Sequence, residues 1–206
     1  MGMKRDEWAR GFAACIAAAA WLGLSVQFAV TYGATGGVLV ALGTIFGYFT
    51  ITTNLLVAVV FTCVAIRRES VRSWVIAGTV LSILMVGVIY VLLLHGTVEL
   101  AGGSSIANTL THFVTPALAP LFWIFFVPKG ELTWRHPLLW SAYPLAYLVY
   151  EMAHGAATGR YAYPFLNVVV MVLERTAFNA LLIAVGFVTC GWAMVWVDGR
   201  FKRVSQ

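Results

Sequence analysis

Long apolar runs separated by short polar breaks dominate the chain. The runs define candidate spans at about 8–32, 38–66, 74–98, 105–127, 137–158 and 165–197. A hydrocarbon core about 30 Å thick is crossed by about 20 helical residues, and a backbone in lipid must satisfy its hydrogen bonds within the segment. The pattern therefore predicts an all-α fold: a polytopic membrane bundle of six transmembrane helices, forming a single integral membrane domain over 1–206.

The positive charges favour one side of this bundle. Of the 13 Lys and Arg residues, only Arg160 falls in a loop on the opposite side and Arg175 within a span. The others lie at the termini and in alternate loops: Lys4, Arg5, Arg10, Arg67, Arg68, Arg72, Lys129, Arg135, Arg200, Lys202 and Arg203. Because Lys and Arg concentrate on the cytoplasmic side, both termini are predicted to be cytoplasmic, in a multi-pass protein of the inner cell membrane.

Composition narrows the classes of function. The chain is 61% hydrophobic and 10% charged, with a mean hydropathy of +0.89, whereas a soluble domain is about a quarter charged. The net charge of +5 follows from the topology, so no nucleic-acid partner is expected. No cofactor and no obligate protein partner are inferred.

Polar pairs recur at a spacing of four residues in three of the predicted spans. The pairs are Thr50 with Asn54, Asn108 with His112, and Arg175 with Asn179. Residues at i and i+4 share a helix face, and Gly43 and Gly47 extend the face of the first pair. At about 1.5 Å per residue, all three pairs lie roughly 10–15 Å from the outer ends of their spans. A shared, buried polar chamber is the prediction.

The chemistry expected of this chamber centres on His112, because an ionisable side chain inside a membrane span is a functional-site hypothesis. A hydroxyl needs an adjacent base to attack an acyl carbon, and a neutral imidazole can serve Thr50 in that way. Asn54, Asn108 and Asn179 are candidates to orient the imidazole or stabilise an oxyanion. The absence of a GxSxG motif argues against an α/β-hydrolase.

Each of these residues also has a structural explanation. A membrane Thr commonly bonds its own i−4 carbonyl, and Asn commonly links helices. Arg175 can hold a substrate carboxylate, or form an ion pair with Glu174 or Glu151.

Three motifs resemble a known family. Tyr48-Phe-Thr50-Ile, Asn108-x-x-x-His112 followed by Pro116, and Tyr161-Ala-Tyr-Pro-Phe-Leu166 are similar to the androgen-induced and androgen-dependent TFPI-regulating membrane proteins, and more closely to their bacterial six-helix relatives. The resemblance implies an intramembrane hydrolase of fatty acid esters of hydroxy fatty acids. By the same resemblance, Thr50 is the nucleophile, His112 is its base, and membrane lipids are the substrates.

Several alternatives stay open at this stage. A one-residue shift in alignment would nominate Thr52 or Thr53 as the nucleophile. A transporter or proton-coupled carrier could use His112, Glu174 and Arg175 as a relay. A metal site is the third alternative, drawing on His95, His112 and His154 with Glu99 and Glu151, although none of these histidines are paired at i and i+4. A purely structural membrane protein is the fourth.

Overall fold

A computed structural model describes residues 2–67, 71–97 and 99–201. The regular structure of these residues is helical, and the described part of the chain contains no β-strand. In chain order the helices are α1 (Gly2–Thr35), α2 (Val38–Phe46), α3 (Phe49–Ile66), α4 (Ser73–Ile89), α5 (Gly103–Thr109), α6 (Thr115–Phe126), α7 (His136–Trp140), α8 (Ala142–Thr158) and α9 (Leu173–Arg200). The all-α prediction is confirmed.

Short turns of other helical types join some of these helices. A first π turn, Tyr90–Leu94, extends α4, and a second π turn, Leu110–Val114, connects α5 to α6. A 3₁₀ turn, Pro164–Leu166, precedes α9. The two π turns lie at the candidate active site described below.

Among the described residues, five continuous helical segments are long and apolar enough to span a membrane: Lys4–Thr35, Phe49–Ile66, Ser73–Leu94, Gly103–Phe126 and Leu173–Arg200. The predicted span at 137–158 contains instead α7 and the 17-residue α8. At about 1.5 Å per residue α8 is shorter than a hydrocarbon core of about 30 Å. Several membrane-length helices are therefore present, whereas six spans and cytoplasmic termini stay predictions.

The predicted span 38–66 is wrong as a single helix. It is broken after Phe46, where Gly47 ends α2 and Tyr48 adopts an extended conformation before α3 begins. Glycine weakens a helix by roughly 0.5–1 kcal/mol relative to alanine, so a break costs least at such a residue. Gly43 and Gly47 consequently do not belong to the helix that carries Thr50 and Asn54, and the predicted four-residue stripe is reduced to that pair.

The predicted start of the last span is also wrong. Helix α9 begins at Leu173 rather than at residue 165, and turns occupy the intervening segment. Asn167 explains part of this difference, because its side-chain oxygen accepts a hydrogen bond from the Val169 N–H at 3.0 Å. Such Asx turns compete with helix formation.

The chain divides into two compact units, residues 1–128 and 129–206. In the first unit, α1 packs along α3 and α4 packs along α6. The buried face of α1 is rich in alanine, including Ala9, Ala13 and Ala20, and small residues allow membrane helices to approach closely. Phe61 of α3 and Phe122 of α6 meet edge to face, with ring centroids 5.2 Å apart, and fill the core.

The second unit is organised around the loop between α8 and α9. The carboxylate of Glu151, a side chain only 1% exposed, accepts hydrogen bonds from the Ala162 N–H and the Tyr147 hydroxyl. The ring of Tyr161 lies so close to Gly155 that any side chain there would overlap it. Asn179 of α9 donates to the Phe165 carbonyl at 3.0 Å. These contacts give the Tyr161–Leu166 motif a structural role in this unit.

Candidate active site

Thr50 lies in the first turn of α3, immediately after the break at Gly47 and Tyr48. Its side chain is 6% exposed, and its hydroxyl Oγ1 lies 3.2 Å from Nε2 of His112. The structure therefore brings together the two residues that the sequence selected from separate spans. A hydroxyl and an imidazole at this separation are within hydrogen-bonding distance, as an activated nucleophile requires.

His112 lies in the second π turn. Pro116 lacks the N–H that would bond the His112 carbonyl in a regular helix, which allows the preceding turn to widen. The Thr115 backbone N–H bonds the Leu110 carbonyl five residues back and so closes this widened turn. Single π turns are frequent at functional sites, and this one places the half-buried His112 ring beside Thr50.

The second ring nitrogen of His112, Nδ1, lies 3.2 Å from the hydroxyl oxygen of Thr111. That hydroxyl donates its only proton to the Ala107 carbonyl at 2.8 Å. The Thr111 oxygen can then only accept a hydrogen bond from Nδ1–H. We therefore assign the proton of the neutral ring to Nδ1. In this tautomer Nε2 carries a lone pair and can accept the proton of Thr50.

Tyr90, from the first π turn, stacks on His112 with ring centroids 4.1 Å apart and an interplanar angle of 29°. The side-chain N–H of Asn108 donates to the Tyr90 hydroxyl at 2.8 Å. Asn108 was predicted to orient the imidazole or to stabilise an oxyanion. Its side chain instead bonds Tyr90, which stacks on the imidazole, while its backbone carbonyl accepts a hydrogen bond from the His112 ring.

Asn54 is completely buried and ties α3 to the second π turn. Its amide nitrogen donates to the carbonyls of Thr50 at 2.9 Å and Thr111 at 3.2 Å, while its oxygen accepts from the Thr115 hydroxyl at 2.8 Å. Because both amide protons are used, Asn54 has none to donate to an oxyanion. The geometry agrees with the orienting alternative of its two predicted roles.

The alternative nucleophiles have other contacts. The Thr52 hydroxyl donates to the Phe49 carbonyl at 3.1 Å in its own helix, and Thr53 is completely buried. Of the three threonines, Thr50 is the one at hydrogen-bonding distance from the imidazole.

The remaining predicted site residues belong to the second unit. Glu174 and Arg175 have exposed side chains in the first turn of α9. That Arg175 shares a polar chamber with Thr50 and His112 stays a prediction. Asn179 binds the Phe165 carbonyl within its own unit. Glu151, a suggested partner of Arg175, is bonded to Tyr147 and Ala162. These residues therefore do not form a buried polar cluster of their own.

Among the described residues, no three His, Cys, Asp or Glu side chains are grouped so that they could hold a metal ion. The polar atoms around His112 come from hydroxyl, amide and carbonyl groups. The described geometry therefore gives no support to the metal-site alternative.

Sequence reasoning gave no role to Tyr90, Thr111 or Thr115, although Thr115 shares the predicted polar face of Asn108 and His112. Tyr90 had a usable signal, because a tyrosine buried within an apolar span needs a partner for its hydroxyl. Thr111 and Thr115 gave no signal of a functional contact, because a membrane threonine ordinarily bonds its own helix. The sequence does not show that the Thr111 hydroxyl also meets His112 or that the Thr115 hydroxyl meets Asn54.

No known protein family, curated protein or solved structure matches the chain. The resemblance to the androgen-induced family consequently stays a prediction, and the argument for function depends on the geometry of the site.

Proposed function

We propose that this protein is a threonine-dependent intramembrane lipid hydrolase that cleaves fatty acyl esters. The observation that carries the proposal is the 3.2 Å separation of Thr50 Oγ1 and His112 Nε2, in a ring whose other nitrogen is held by Thr111. Nucleophile, base and orienting group are arranged in series, which is the general arrangement of hydroxyl nucleophiles.

In the acylation step, Thr50 Oγ1 attacks the ester carbonyl carbon while its proton moves to His112 Nε2. The resulting imidazolium is covered by the face of Tyr90 at 4.1 Å, a contact that stabilises a cation. When the tetrahedral intermediate collapses, the alkoxy oxygen leaves with the proton from Nε2. The products of this step are an acyl-threonine and a free alcohol.

Deacylation repeats the same proton transfers with water as the nucleophile. His112 Nε2 removes a proton from the water as it attacks the acyl carbon, then returns it to Thr50 Oγ1 as the ester bond breaks. A free fatty acid is released and the hydroxyl is restored. No metal or organic cofactor is required by this sequence of steps.

Two features of the site favour the developing oxyanion. Thr50 lies at the N-terminus of α3, where the helix dipole places partial positive charge. The Tyr90 hydroxyl accepts its hydrogen bond from Asn108 and therefore keeps its own proton to donate. A single oxyanion donor is typically worth about 3 kcal/mol in a site that excludes water.

An apolar acyl ester is the substrate class that suits this setting. The site is built from helices long and apolar enough to span a membrane, so an ester dissolved in the bilayer can reach it laterally. By the resemblance noted in the sequence, esters of hydroxy fatty acids are the first substrates to test.

The test is hydrolysis of such an ester by the purified protein in detergent. Thr50→Ala is expected to lower kcat/KM by at least about 10³-fold, as for the loss of a catalytic nucleophile. Thr52→Ala, which removes a hydroxyl bonded within the same helical turn, is the matched control and is expected to stay within a few-fold of wild type. Substantial turnover by folded Thr50→Ala would overturn the proposal.

A further inference from the structure

A cavity of about 830 Å³ opens in the first unit, between the end of α3 and the starts of α1 and α4. It lies at the opposite end of α3 from Thr50. Arg67, which lines it, follows Thr50 by 17 residues, or roughly 25 Å at about 1.5 Å per residue. The cavity is therefore separate from the candidate active site.

The polar part of the cavity is suited to an anion. Arg10 and Arg67 both line it, together with the single acid Asp6. Arg10 is fixed by its Nε, which donates to the Ala65 carbonyl at 2.8 Å. Within the described part of the chain, this bond uses only Nε, so the two terminal guanidinium nitrogens of Arg10 can bind a ligand. Guanidinium groups bind phosphate strongly because they offer several donors in one plane.

The start of α4 adds to this positive potential. Ser73, the first residue of α4, lines the cavity, and the helix has no side-chain cap at Arg72. The N-terminus of a helix carries partial positive charge and favours anions. It reinforces the two arginines rather than forming a site by itself.

Much of the remaining wall of the cavity is apolar. Phe122 and Phe126 of α6 and Ile76 of α4 all contribute to it. A small inorganic anion would match the arginines but would leave this wall uncovered. A ligand with a phosphate head and a hydrocarbon chain matches both parts, and the volume of the cavity lies within the range of about 300–1,000 Å³ usual for ligand pockets.

We propose that this cavity binds the phosphate group of a glycerophospholipid through Arg10 and Arg67, with acyl chain packed against Phe122 and Phe126. The location agrees with such a ligand, since α1 brings Lys4 and Arg5 to the same end of the bundle. The binding is independent of the hydrolytic chemistry proposed for Thr50.

Native mass spectrometry of the detergent-purified full chain tests the proposal with three probes: phosphatidylglycerol, the diacylglycerol with the same acyl chains, and glycerol 3-phosphate as competitor. Wild type is expected to bind phosphatidylglycerol, and Arg10→Gln to bind it at least about 10-fold more weakly, as expected for the loss of a charge-assisted contact. Arg5→Gln is the matched control, because it removes the same charge from α1 while its guanidinium bonds the Phe125 carbonyl at 2.9 Å. Thr50→Ala is expected to bind as wild type does.

Three results would overturn the proposal. Equal binding by Arg10→Gln and Arg5→Gln would remove the role of the arginine. Equal binding of diacylglycerol would remove the role of the phosphate. Displacement of the lipid by glycerol 3-phosphate at the same concentration would identify a soluble phosphate compound as the ligand. If Arg10→Gln does not fold, Arg67→Gln replaces it in the same comparison.

Discussion

The two nitrogens of His112 have different tasks. Nε2 faces the Thr50 hydroxyl, and Nδ1 faces Thr111, whose own proton is committed to the Ala107 carbonyl. A base acts only if the nitrogen facing the nucleophile carries the lone pair. Thr111, together with the Asn108 backbone carbonyl that bonds the same ring, therefore favours the tautomer that makes His112 useful to Thr50, and is a positioning residue rather than a catalytic one.

Thr111→Val is expected to lower kcat about 10–100-fold, in the range found for lost orienting partners of a histidine, with little change in KM. Valine keeps the shape of threonine, so an activity loss without loss of fold is the signature of the missing hydroxyl. Steady-state hydrolysis of the ester, together with thermal unfolding in detergent, measures both quantities.

Thr109→Val is the control for this effect. The Thr109 hydroxyl also donates to an i−4 carbonyl, that of Ser105 at 2.9 Å, but its side chain is exposed. Its activity should equal that of wild type. If the two valine variants retain the same activity, Thr111 does not position the imidazole.

At the scale of helices, two π turns create the site. The first presents Tyr90 and the second presents His112, and the two rings stack. The spacing between their helices is set by Gly87 of α4, where an added Cβ would lie 2.7 Å from Cβ of Pro116. The close contact of Gly87 with Pro116 thus allows the two π turns to approach until Tyr90 stacks on His112.

Gly87→Ala is expected to reduce both stability and activity, because the rigid Pro116 ring cannot move aside and overpacking typically costs about 1–3 kcal/mol. A displacement of α4 would also shift Tyr90 from the face of His112. Thermal unfolding in detergent and ester hydrolysis are the measurements.

Gly43→Ala provides the contrast, since no atom lies within 4 Å of an added Cβ at that position in α2. There alanine should leave activity unchanged and stability equal or higher. Equal behaviour of the two alanine variants would contradict the role assigned to the Gly87–Pro116 contact.

The sequence predicted the helices and selected Thr50, Asn54 and His112, because spacing along one helix is a local property, whereas the Asn108 side chain bonds Tyr90. It did not predict the break at Gly47 or the π turns, because where the backbone leaves the regular helix depends on contacts with other helices, such as the bonds of Asn54 to Thr111 and Thr115. Depth along a span also does not determine which face of a helix a residue such as Arg175 occupies, so its role stays a prediction.

At the scale of the whole molecule, apolar composition predicts membrane-length helices, and the described part of the chain contains five such segments. The number of crossings is less accessible to sequence, because turns interrupt two apolar runs and α8 has 17 residues. The orientation of the chain follows from the distribution of Lys and Arg and stays a prediction.

This orientation predicts that residue 35 faces the outside and residue 131 the cytoplasm. Thr35→Cys and Glu131→Cys, both at exposed positions, can be compared after replacing Cys15, Cys63 and Cys190. A membrane-impermeant maleimide should label position 35 in intact cells and position 131 only after permeabilisation. The reverse pattern would invert the topology.

The most direct test of the central claim is mass spectrometry of the purified protein after exposure to a fluorophosphonate. Such reagents modify activated hydroxyl nucleophiles, so an adduct on the peptide that contains Thr50 is expected in wild type and in Thr52→Ala. The adduct should be lost in Thr50→Ala and strongly reduced in His112→Ala, because without its base the hydroxyl is a weak nucleophile. An unlabelled wild type, or labelling of Thr50 that persists in folded His112→Ala, would contradict a threonine activated by this histidine.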